Sequence, residues 1–100
     1  MKKILLTAAA GIIVAGSAYA GDIGKCEKIG ELAGGIMTLR QLNTKMSKVI
    51  NKLGPESPFV SIVIKAYETP LYSTEKYKKR EIMKFENMYY IECLKHERNK

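Results

Sequence analysis

Two cysteines set the limits on this chain. Cys26 and Cys93 are the only two it has, and they stand near opposite ends of the part that can fold. Whether they pair depends on the compartment, and the first twenty residues speak to that. Met1-Lys2-Lys3 is a short basic start, residues 4–14 form a mostly apolar run, and Ala18-Tyr19-Ala20 is a small-residue cleavage signal before Gly21. The apolar run is shorter than the roughly 20 residues a comfortable membrane span needs. The pattern therefore reads as a signal peptide cleaved after Ala20, with no lipobox cysteine behind it. The expected location is the periplasm, where thiols oxidise, and two cysteines in a small exported chain read as one disulfide, Cys26–Cys93. The competing reading is a metal or redox thiol pair completed by His96 in Cys93-x-x-His96, but that set lacks a fourth ligand.

Removing residues 1–20 from the 100 leaves 80, room for one small domain over residues 21–100. Domains of this size bury a modest fraction of their surface and need a staple. The chain-entropy model gives about 4 kcal/mol for closing so long a loop, a large part of the roughly 5–10 kcal/mol that holds a small domain together.

Apolar spacing assigns the rest to helices. In residues 24–41, Cys26, Ile29, Ala33, Ile36 and Met37 fall on one helical face, widened by Leu32 and Leu39. Gly30-x-x-x-Gly34 leaves two bare positions for another helix to approach closely. Asn43 is expected to break the run before a short helix over residues 45–53, with one unbroken helix over 24–53 as the alternative. Gly54-Pro55 stops that helix, and Ser57-Pro58 suits the start of the next. Residues 59–67 have strand propensity, yet no second strand is present to pair with, so a buried central helix is expected. The last helix, capped by Ser73 and running to His96, carries Ile82, Phe85, Tyr89 and Cys93 at steps of three, four and four. The expected fold is all-α, a small bundle of three to four short helices stapled by one disulfide.

Catalytic patterns are sparse. His96 is the one histidine, the glutamates form no acid–base pair, and no phosphate loop, dinucleotide fingerprint or metal motif is found. No enzyme activity, metal or cofactor is expected. The formal net charge of +7 falls to +5 when Lys2 and Lys3 leave with the leader. Lys76, Lys78, Lys79 and Arg80, with Lys84 a turn further on, are candidates for binding an anion. The bland reading is a solvated face with Glu75–Lys79 and Lys78–Glu81 pairs. An exported chain seldom meets nucleic acid, so an anionic membrane surface is the better partner for that patch. Tyr90, off the apolar stripe, is the candidate anchor for a protein partner.

The order Cys26, Met37-x-x-Arg40-Gln41, Ala66-Tyr67-Glu68-x-Pro70, Tyr72, Phe85, Tyr89, Cys93 resembles a group of small exported helical proteins of phages and proteobacteria without an assigned activity. The group often has Gly soon after Arg-Gln, where this chain has Leu42-Asn43. The resemblance implies a disulfide-tied helical domain and a phage origin. It names no catalytic residue. The function expected is non-enzymatic binding of another envelope protein, acting in superinfection exclusion or inhibition of a cell-wall lytic enzyme. One alternative is a basic binder of anionic lipid or lipopolysaccharide. A further one is a small periplasmic stress chaperone, for which a single histidine offers little pH switching near neutrality. Oligomeric state is left open by the sequence.

Overall fold

A computed structural model describes residues 17–99, with side chains from Ile23 onward. Those residues form four helices: α1 (Ser17–Gln41), α2 (Met46–Leu53), α3 (Val60–Tyr67) and α4 (Glu75–Arg98). Most of the expected leader, residues 1–16, lies outside the described residues, so the cleavage after Ala20 is not addressed by the fold. The all-α class is as the sequence implied. α1 starts seven residues before the expected Gly24.

α1 and α4 form a long antiparallel pair. Cys26 near the start of one is bonded to Cys93 near the end of the other, with Cα atoms 5.4 Å apart across a separation of 67 residues. The thiol-pair alternative with His96 therefore falls, since both sulfurs are spent in the bridge. Midway, the two bare positions let the backbones close in. A Cβ built on Gly30 would lie 3.2 Å from the Glu86 backbone oxygen, and one on Gly34 would lie 3.3 Å from Glu86 Cβ. The stripe on α4 faces inward as its spacing requires: Phe85 is buried, and its ring meets Tyr89 edge-on at 5.0 Å.

The break between α1 and α2 has a definite local cause. Asn43 takes a positive φ of 64°, a conformation asparagine tolerates better than most residues. The Asn43 amide donates to the Arg40 carbonyl and the Thr44 amide to the Leu39 carbonyl, a Schellman closure that satisfies the last carbonyls of α1. The unbroken alternative over residues 24–53 is thereby excluded. Gly54, at φ 107°, ends α2, where only glycine is at ease.

Helix starts differ slightly from expectation. α3 begins at Val60 because Ser57 first closes a turn, its Oγ accepting from the Phe59 amide at 3.0 Å. α4 is capped by Thr74, not Ser73, through a 3.3 Å bond from the Tyr77 amide to Thr74 Oγ1. α3 is the helix predicted over the β-prone segment. Ile62, Val63 and Ala66 are buried and join Ala33, Ile36, Met37, Val49 and Phe85 in one core. The short α2–α3 pair thus covers the C-terminal half of α1, while α4 covers its other side.

Candidate functional site

Met37, Arg40, Gln41, Tyr67, Pro70 and Tyr72 converge on a polar knot where α1 ends. Gln41 is 3% exposed, and its Nε2 donates to the Pro70 carbonyl at 3.0 Å and to Met37 Sδ at 3.6 Å. Its Oε1 accepts from the Tyr72 amide at 3.0 Å. Arg40 Nε donates to the Thr69 carbonyl, and its guanidinium lies over the Tyr67 ring at 5.3 Å. Tyr67 in turn donates its hydroxyl hydrogen to the Thr44 carbonyl at 2.6 Å. Burial pushes the Tyr67 hydroxyl above its ordinary pKa, with the Arg40 charge opposing. The Gln41 amide, Arg40 Nε and the Tyr67 hydroxyl are all bonded to the chain itself, which makes the knot a clamp on the α3–α4 connection.

The expected basic patch is divided by the fold. Lys78 Nζ donates to the Gln41 backbone carbonyl at 2.8 Å, so this lysine caps the end of α1. Arg80 lies over the Tyr77 ring at 5.0 Å, and Lys76, Lys79 and Lys84 are exposed. Neither the Glu75–Lys79 nor the Lys78–Glu81 pair forms among the described residues. The ion pair found there joins Lys25 to Glu97 at 3.0 Å, beside the disulfide.

Tyr90 is half-buried. Its Cβ would be 3.3 Å from a Cβ on Gly30, and it borders a small hollow with Glu27, Glu86 and Asn87. Packing against α1 therefore does reach Tyr90, because the glycines bring α1 closer than a side-chain-bearing helix would come. The exposed large hydrophobic residues of α4 are Met83 at 64%, Ile91 at 49% and Tyr77 at 46%.

An apolar groove between α1 and α2 had no signal in the sequence. Leu32, Leu39 and Leu53 form its walls, Ile36 and Val49 its base, and Glu31 and Lys52 its rims, around a volume of about 460 Å³. Gly35 opens directly into it, and a Cβ at that position would meet nothing within 4 Å. The stripe continues one turn on to Leu42, 68% exposed. α2 has no acidic residue and exposes Lys48 and Lys52, with Lys45 at its cap.

Among the described residues no three His, Cys, Asp or Glu side chains stand close enough to hold a metal ion. None of their helices is long and apolar enough to cross a membrane. No protein-family model, curated protein or solved structure matches the chain.

Proposed function

We propose that this chain is an exported, non-enzymatic interaction protein that binds another protein of the bacterial envelope, and that the partner lays an amphipathic helix in the α1–α2 groove. The observation that carries this reading is Gly35. A glycine inside a helix costs about 1 kcal/mol relative to alanine. Gly30 and Gly34 repay that cost by admitting α4, whereas Gly35 faces open space. A bare position at the mouth of an apolar groove suits close approach by a helix from outside. The lysines along α2 favour a partner whose flanking residues are acidic. Such binding, in a phage-encoded setting, would serve to block a second infection or to restrain a cell-wall lytic enzyme.

Site-specific photo-crosslinking tests the reading. A photoreactive residue at Leu39 is expected to capture one envelope protein in living cells, and one at Lys65 on α3 is not. Gly35→Leu, which fills the groove, is expected to remove that adduct without lowering the melting temperature. Equal capture from both positions, or an adduct indifferent to Gly35→Leu, would refute the groove as the binding surface.

A further inference from the structure

We propose that the outward side of α4 is a second docking surface, one that lays the domain on an anionic phospholipid bilayer. The proposal shares no residue with the groove and does not depend on the groove having an occupant.

The argument starts from spacing. Lys76, Arg80, Lys84, Lys95 and Arg98 fall on one side of a helix with 3.6 residues per turn, and all five are exposed. Three of the five glutamates of α4 are placed elsewhere, Glu75, Glu86 and Glu97 turning toward the α1 side, while Glu81 and Glu92 stand together along one edge of the face, about 60° and about 80° round from Lys84. No ion pair among the described residues neutralises any of the five cations. This face differs from the cluster that the sequence singles out: Lys78 leaves it for the Gln41 carbonyl, Lys79 falls on another side of the helix, and Lys95 and Arg98 join it from about three and four turns beyond Lys84.

Charge alone would suit any polyanion. What favours a bilayer is the apolar component set between the cations. Tyr77, Met83 and Ile91 are the exposed large hydrophobics on this side, Met83 and Ile91 eight residues or about 12 Å apart along the axis. A nucleic acid backbone offers such residues nothing, whereas a helix lying in the headgroup region buries them while its lysines and arginines meet phosphates. The helix runs 24 residues, about 36 Å, with cations near both ends, so it would lie along the surface. It is too polar to enter further.

Vesicle flotation tests this with protein recovered from cells expressing the full chain. Binding to phosphatidylglycerol-containing vesicles at physiological salt is expected, with little to neutral phosphatidylcholine vesicles. Each basic residue near such a surface is worth about fivefold in partitioning. The triple variant Arg80→Gln, Lys84→Gln, Lys95→Gln is therefore expected to bind about a hundredfold more weakly. The α2 triple Lys45→Gln, Lys48→Gln, Lys52→Gln is expected to bind like the parent. Met83→Ser with Ile91→Ser is expected to remove the binding that survives at high salt. In the parent, vesicles are expected to protect Lys84 and Lys95 from amine acylation and to leave Lys48 reactive, which reads the face without any substitution. Four results would overturn the proposal: no binding to anionic vesicles, equal binding to neutral ones, equal losses from the two triple variants, or duplex DNA bound as tightly as vesicles.

Discussion

Gln41 joins the end of α1 to the α3–α4 connection with one side chain, accepting from the Tyr72 amide and donating to the Pro70 carbonyl. Gln41→Ala is expected to leave those two backbone groups without partners, at about 1–3 kcal/mol for each orphaned group, read as a lower urea midpoint. Tyr67 and Tyr89 give a second signature at this scale, since burial raises the pKa of both above 10. Below pH 10 they are protonated in the folded and unfolded chain alike, and their contribution is intact. As pH rises past the unfolded value of about 10 and through the higher folded values, the unfolded chain loses its protons first and stability falls. Denaturation midpoints from pH 8 upward are expected to decline in that window, less steeply for Tyr67→Phe, which has no hydroxyl to ionise.

The glycines of α1 separate two kinds of helix surface. Gly30→Ala would press its methyl on the Glu86 backbone oxygen, 3.2 Å away, which cannot swing aside. A net loss of about 1 kcal/mol or more is expected, after the gain in helix propensity. Gly35→Ala meets nothing and is expected to raise stability by about 0.5–1 kcal/mol. Thermal melting of the two variants in opposite directions checks the pair. The element scale is also where the sequence was most readable. The α4 stripe, the glycine approach, the Asn43 break and the helix over residues 59–67 depend on local periodicity and on residues with special backbone preferences. Cap positions moved by one or two residues because Ser73 and Thr74 are chemically alike, as are alternative starts around Ser57. The clamp and the groove were not readable, since each is made by elements 10 to 37 residues apart. Nothing in the residue type of Gln41 or Lys78 says that one is buried and the other turned back to α1. Tyr90 illustrates the same limit: its direction on α4 was legible, but not how far the glycines would let α1 come round to it.

Across the whole molecule, the disulfide and the clamp lie at opposite ends of the α1–α4 pair: one end is held covalently and the other by hydrogen bonds. Cys26→Ser or Cys93→Ser is expected to cost about 2–5 kcal/mol, with chemical denaturation of the unreduced and reduced protein giving the same difference. Recovery of two free thiols from unreduced protein, by mass spectrometry, would contradict the bridge. The position of that bond has a topological consequence. Everything from Cys26 to Cys93, all of α2 and α3 included, belongs to one covalent ring. Tension applied to the chain outside the two cysteines passes through sulfur and bypasses the ring, so pulling cannot peel α4 from α1. A protease that cuts the exposed turn at Pro55-Glu56 opens the ring without releasing a fragment. The nicked protein remains one molecule, two pieces joined through sulfur, whose new ends lie in a surface turn.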